Sequence, residues 1–412
     1  MRMIVAQGMT THRQTLSKIL LQAAEATKPP TEPVSPQIPV GEFLDQLFAE
    51  DLHAKRVQSL SNGVMGEMHA AAASIHAIGR GLALATGADP KHAIKQIDRL
   101  LSNPGIETWQ LFENWVPFVV AERKELVVAL DWTEFDKDNQ ATIALHMITS
   151  HGRTTPLVWK TVRKSELANR RNEYEDDVIE RFHAILPPDV RVTVLADRGF
   201  GDQFRYQYLD VLGWDYVIRF RANILVTDVR GTSRLAGEWV PSSGRAKKLR
   251  HAKVTNEQTS VSAVVCVHKK KMKEPWCLAT SRAELRAAQI IELYGRRFTI
   301  EETFRDTKDP RYGLGLSATH IKRPERRDRV LLLAAITQAL LTLLGAASEA
   351  TGLDRVLKAN TVKKRTHSLF NQGCYWYQAI PTMPEERLRI LMKAFGEIVT
   401  KHAVFRDIFG VI

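Results

Sequence analysis

Two short apolar runs, Leu126-Val-Val-Ala-Leu130 and Val192-Thr-Val-Leu-Ala196, each give way to an aspartate, Asp131 and Asp197. Runs of this length, rich in β-branched residues and bounded by polar sequence, read as buried strands. Further strand patterns cover residues 141–149, 156–161 and 216–220. A long charged helix over 165–185 stops at Pro187-Pro188, and a short helix spans 203–212. Strands first, then strands alternating with helices, confine this part of the chain to a mixed sheet flanked by helices, an α/β architecture. Ligands in open α/β sheets gather where strands end, so two strand-ending carboxylates mark where chemistry would sit. With 46 acidic residues in the chain, some aspartates follow apolar runs by chance, and the pair alone is a weak signal.

A third acid comes from residues 294–308, Y-G-R-R-F-T-I-E-E-T-F-R-D-T-K. Wound as one helix at roughly 100° per residue, Tyr294, Arg297, Glu301 and Lys308 share an arc. Leu293, Ile300 and Phe304 form a neighbouring apolar arc that seats the helix on a core. A solvated helix face shows the same i,i+4 charge spacing. Glu302 points about 100° away from Glu301, which makes Glu301 the candidate. Three packed carboxylates repel one another, and divalent cations remove that cost. Mg²⁺ prefers such oxygen ligands, and two ions can activate a water or a 3′-hydroxyl for displacement at phosphorus.

The charge balance suits a phosphate-bearing partner. Fifty-eight Lys+Arg residues against 46 Asp+Glu leave +12, which favours a polyanion, nucleic acid before membrane. Basic residues crowd the second half of the β-rich, Gly- and Ser-punctuated stretch 222–281, where Glu257 and Glu274 are the acids. Three scattered cysteines make neither a disulfide framework nor a zinc site. The N-terminus lacks a basic segment followed by an apolar run and a small-residue cleavage site, so a cytoplasmic compartment is expected. The apolar run 330–347 is interrupted by Thr337, Gln338 and Thr342 and reads as a buried core helix.

At 412 residues, two or three domains are expected. Residues 11–27 read as helical, 29–39 as a Pro-rich linker, and 42–103 as helical throughout, with an Ala-rich helix in 65–85. Asp89 is placed to cap a helix over 90–101 that presents Lys91, Lys95 and Arg99 in a row. A basic row after a tight turn fits a helix-turn-helix DNA reader, and equally an ordinary surface stripe. Trp109, Phe112, Trp115 and Phe118 make an aromatic stripe expected in the core. After Pro324 the chain is largely helical, with basic clusters at 322–329 and 363–365.

The chain resembles the DDE transposases of bacterial insertion sequences, in the group with the signature Y-x2-R-x3-E-x6-K. Tyr294, Arg297, Glu301 and Lys308 fit that pattern at every spacing. Asp131-Trp-Thr is like the family's D-x-T at the first strand, and Asp197-Arg-Gly-Phe looks like its D-R block. The three blocks stand in order over 125–316, while the first 120 residues match loosely.

The resemblance implies a ribonuclease-H-like core holding Asp131, Asp197 and Glu301 around two Mg²⁺ ions, with Mn²⁺ able to substitute. It implies that Arg297 and Lys308 grip phosphates near the transposon end and that Tyr294 hydrogen-bonds one. Trp276 corresponds to a residue that stacks on a flipped base in hairpin-forming members; a packed strand aromatic reads the same way. Arg219, with Arg221, lies where the family has basic DNA contacts, and an exposed strand end would look alike.

The implied organisation is a helical DNA-end-binding region over 1–120 and a catalytic core over 121–221 and 282–345. A β-rich insertion over 222–281 divides the core, and a helical C-terminal region over 346–412 is a candidate for dimerisation. The implied function is a transposase that binds terminal inverted repeats of double-stranded DNA as a homodimer. It would cut through a hairpin and join the 3′ ends to target DNA, with no membrane partner. The alternatives are a non-catalytic transposition inhibitor, which predicts a damaged triad, and a host nuclease of the same fold.

Overall fold

Five helices precede the sheet in the computed structural model, which describes residues 40–400 apart from Tyr312, with the backbone alone at 399 and 400. The helix expected over 11–27 and the linker over 29–39 lie outside the described residues. The helices are α1 (Val40–Phe48), α2 (Ala54–Ala70), α3 (Ile75–Thr86), α4 (Pro90–Ser102) and α5 (Thr108–Val120). The single Ala-rich helix expected in 65–85 is two. Ala71 turns left-handed (φ 46°), and the Ser74 hydroxyl then accepts the Ala77 N–H at 3.2 Å to start α3.

Asp89 caps α4 as its position predicts, accepting the Lys91 and His92 N–H groups at 3.0 and 3.1 Å. Gly87 supplies the positive φ (73°) that the tight α3–α4 turn requires. Lys91, Lys95 and Arg99 stand exposed on α4. On α5, Phe112 and Trp115 are fully buried, and the Trp115 indole donates to the Pro156 carbonyl at 2.8 Å. The aromatic stripe is therefore core.

Among the described residues the sheet is a single one of ten strands. β1 (Glu125–Phe135), β2 (Gln140–Ile148) and β3 (Thr154–Arg163) make an antiparallel meander. A 3₁₀ turn at Lys164–Glu166 and α6 (Arg171–Ile185) replace the longer helix expected from 165. β4 (Arg191–Ala196) then pairs parallel to β1, and β5 (Asp215–Phe220), reached through α7 (Gln203–Val211), pairs parallel to β4. The order β3-β2-β1-β4-β5 is ribonuclease-H-like. β6 (Leu225–Thr227), β7 (Ser233–Leu235), β8 (Lys247–Val254), β9 (Thr259–Val267) and β10 (Trp276–Thr280) follow. β10 pairs antiparallel with β5, so these strands extend the same sheet instead of standing apart from it.

After β10 come α8 (Ala287–Gly295), a 3₁₀ turn at Arg296–Phe298 and α9 (Thr299–Lys308). Three more helices complete the described chain: α10 (Pro324–Ala350), α11 (Leu369–Ala379) and α12 (Glu385–Thr400). α10 is the one helix among the described residues long and apolar enough to cross a membrane, yet 89% of its apolar window is buried in the protein. Glycine lets α11 approach it closely. A Cβ at Gly345 would overlap the Leu369 carbonyl, and one at Gly373 the Leu341 carbonyl.

Side chains alternate across a strand, and the two sheet faces feed two cores. Val128, Leu130, Val192, Val194, Tyr216 and Ile218 pack in the large core with the N-terminal helices and α10. Ala129, Leu195, Val217 and Leu278 point the other way and pack with Ile290, Ile291, Tyr294 and Ile300 of α8–α9.

An acid is buried between α2 and α10. Glu67 on α2 is fully buried; one oxygen accepts from the Thr337 hydroxyl of α10 at 3.4 Å, and Oε1 has no hydrogen-bond partner. Burial pushes its pKa well above the ordinary value. An acid whose folded pKa is raised keeps its proton in the folded state while the unfolded chain loses it, so stability falls as pH climbs above the unfolded value. Glu67→Gln should flatten the loss of stability as pH rises above the ordinary carboxylate range, measured by urea unfolding. An unchanged slope would contradict a protonated Glu67.

Candidate active site

The strand alternation that buries Ala129, Leu195, Val217 and Leu278 under α8–α9 also sets the polar residues two positions along. Asp131 and Thr133 on β1, Asp197 after β4, Arg219 on β5 and Trp276 on β10 share that face. β1 does not end at Asp131 as its apolar run predicts; it continues to Phe135. Pairing with β2 through Phe135–Gln140 keeps it extended, whereas its parallel pairing with β4 stops at Leu130–Ala196. Asp131 and Asp197 therefore follow the last paired positions of two neighbouring strands.

Residues 294–308 are not one regular helix. Tyr294 lies at the end of α8, the 3₁₀ turn intervenes, and Glu301 and Lys308 belong to α9. A 3₁₀ turn winds more tightly than an α-helix, and the expected shared stripe splits. Tyr294 and Arg297 are buried, Glu301 is exposed, and Lys308 is half-buried. Ile300 seats the segment in the second core, with Leu293 and Phe304 packed against it.

Arg297 joins the acids. Its Nη1 donates to Asp131 Oδ2 at 2.9 Å and its Nη2 to Glu301 Oε1 at 2.7 Å, although the guanidinium is only 4% exposed. Glu302 turns away and pairs with Arg305. The Tyr294 hydroxyl reaches Asp197 Oδ1 at 3.4 Å, and burial raises the pKa of its phenol. Burial pushes the Asp131 carboxyl up to about 6; Arg297 and the Trp132 N–H pull it down, and the charges of Asp197 and Glu301 push it up again. The mutual repulsion expected of the three acids is thus present at Asp131.

The donor set is oxygen-only and rich in negative charge, which suits a hard divalent cation. Among the described residues, however, no group of three or more acidic, His or Cys side chains stands at metal-holding spacing. Arg297, bonded to two of the three carboxylates, supplies the positive charge.

Lys308 lies over β1, donating to Thr133 Oγ1 at 3.1 Å and to the Glu134 carbonyl at 2.7 Å, with its pKa lowered by burial. Trp276 is half-buried, edge-on to Tyr294 (centroids 4.9 Å apart) and stacked at 5.8 Å on Phe298. Phe298, which the sequence reading passed over, is 37% exposed, and the Arg297 guanidinium lies 4.7 Å from its ring centroid. Its position in a run read as helical carried no signal, because the 3₁₀ turn is what brings it outward.

Glu175 was also missed. Buried on α6, it accepts the Trp132 indole N–H at 2.8 Å and Arg205 of α7 at 2.9 Å, so the Trp after Asp131 is anchored to two helices. Arg219 donates to Glu274 at 2.8 Å and lies 3.9 Å from Asp197 Oδ1.

Residues 122–340 match the family model described as the transposase DDE domain. That span holds Asp131, Asp197, Glu301 and the residues that surround them. A comparison with curated proteins finds no match.

Proposed function

The chain belongs to the DDE transposase family, whose domain covers residues 122–340, and on that premise we propose how its residues carry out transposition. It binds the terminal inverted repeats of an insertion sequence, cuts the DNA ends and joins the freed 3′ ends to target DNA. The observation that carries this reading is the Arg297 bridge. It draws together two carboxylates 166 and 4 residues away in sequence from Arg297, on the face where Asp197 also emerges.

Asp131, Asp197 and Glu301 would hold two Mg²⁺ ions, with Mn²⁺ able to substitute. Bound there, such ions activate an attacking water or 3′-hydroxyl and neutralise the leaving oxygen. The remaining work falls to the chain's own groups. Arg297 holds Asp131 and Glu301 in register, and Tyr294, buried with its hydroxyl toward Asp197, orients that acid. Lys308 and Arg219 face the transposon end, where a guanidinium such as that of Arg219 can fork onto a phosphate, and Arg297 acts through the carboxylates it holds. Trp276 and the exposed ring of Phe298 form a stack on which a base flipped from the end can rest, at about 1–3 kcal/mol per base. This supports a hairpin route: hydrolysis at the end, attack by the new 3′-hydroxyl on the opposite strand, reopening, then strand transfer.

The 1–120 region reads the end. The α3–turn–α4 unit presents Lys91, Lys95 and Arg99 to the backbone, as a helix-turn-helix module does. Residues 121–221 and 282–345 make the core, 222–281 the insertion, and 346–412 a surface for pairing two copies, since two ends must be held together. The working site is the bacterial cytoplasm, where the DNA is.

Asp131→Ala, Asp197→Ala and Glu301→Ala should each abolish Mg²⁺-dependent nicking, by at least about 10³-fold, while a gel-shift assay shows end binding intact. Full cleavage by any one of them would remove that residue from the site. Trp276→Ala should slow hairpin formation about tenfold or more and leave first-strand nicking near the wild-type rate in a gel time course. Equal slowing of both steps would make Trp276 a packing residue.

A further inference from the structure

Glu274 is the acid of a basic hairpin. The loop between β9 and β10 carries Lys269, Lys270, Lys271 and Lys273, all exposed, and Glu274 follows them. Its Oε2 accepts from Arg198 Nη1 and from Arg219 Nη2, both at 2.8 Å. Arg198 directly follows Asp197, and the other terminal nitrogen of Arg219 lies 3.9 Å from Asp197 Oδ1. One carboxylate oxygen, brought in by the insertion, thus receives two guanidiniums that border the candidate active site.

Two guanidiniums converging on a single oxyanion make a receptor for a phosphodiester, whose oxygens offer the same charge and acceptor geometry. Arg219 is the anchored half of this receptor, with a side chain 14% exposed, while Arg198 and Glu274 are about half exposed at 49% and 52%. An ion pair this wet is screened and weak, so a competing anion can displace it. We propose that Arg198 and Arg219 form a phosphodiester subsite beside Asp197, and that Glu274 occupies it as an internal competitor when no DNA is bound. The inference rests on the reading that this face acts on DNA; it adds Arg198 to the phosphate contacts and gives Glu274 a role of its own. DNA entry exchanges the carboxylate for a backbone phosphate and unties the lysine-rich loop from the strand ends. Because the binding-competent form is only a fraction of the free protein, Glu274 lowers the apparent affinity by that fraction.

The test is equilibrium binding of a fluorescent random-sequence DNA duplex to the full chain, without divalent metal, across a salt series. Glu274→Gln should tighten binding about 3–10-fold at each salt concentration, because the binding-competent form no longer competes with the carboxylate. Glu274→Ala, run alongside, removes the hydrogen bonds that an amide could still accept, and should tighten binding at least as much. In an Arg198→Ala background the gain from Glu274→Gln should fall below about twofold. Unchanged or weaker binding by both Glu274 variants, with thermal midpoints matching wild type, would overturn the proposal, as would a full gain in the Arg198→Ala background. A chain that binds no duplex in any form would overturn the functional reading, and this inference with it.

Discussion

The candidate active site depends on one buried cation. Arg297 sits almost out of water, 2.9 Å from Asp131 and 2.7 Å from Glu301. A guanidinium in that position is costly unless its donors are paired, and carboxylates crowded together are costly unless a positive charge lies among them. Each half of the cluster therefore requires the other. Asp131 shows the tension directly: burial and its acidic neighbours raise its pKa, and Arg297 pulls it back. The same bond ties β1 to the α8–α9 segment across the second core, so packing and chemistry share a single contact.

That contact exists because of strand register. Ala129, Asp131 and Thr133 point to one face, and above them lie Ile300, Arg297 and Lys308 in turn. A one-residue slip of β1 would send Asp131 into the large core and its apolar neighbours outward. The antiparallel meander fixes β1 on one side and the parallel β4 on the other, and β10, paired with β5, extends the sheet and brings Trp276 and the preceding Glu274 to the same face. The second core is small, and its polar edge is where Asp131, Asp197 and Glu301 meet solvent.

Much of this was legible in the residues. The apolar runs before Asp131 and Asp197, the Asp89 cap, the core placement of Phe112 and Trp115 and the buried helix through Val330 follow from periodicity and turn chemistry, which act locally. The DDE family, shown by the match over residues 122–340, was legible in three short motifs. What escaped was set at long range. β1 runs past Asp131 because β2 pairs with it, and no local signal marks that. The 3₁₀ turn at Arg296–Phe298 answers to packing on the sheet, and it converts an expected stripe into buried Tyr294 and Arg297 beside exposed Glu301 and Phe298. The break after Ala70 and the Glu175 and Glu274 contacts likewise depend on partners far away in sequence.

Joining of a precut end tests the central claim most directly. A duplex carrying the short inverted repeat that borders the coding sequence, with its 3′-hydroxyl already exposed, is incubated with the purified chain, Mg²⁺ and a supercoiled plasmid. The account predicts covalent joining of that 3′ end to plasmid strands, dependent on Mg²⁺ and lost when Asp197 is replaced by Ala. Plasmid cutting with no joined product would contradict it and leave the chain a nuclease of the same fold.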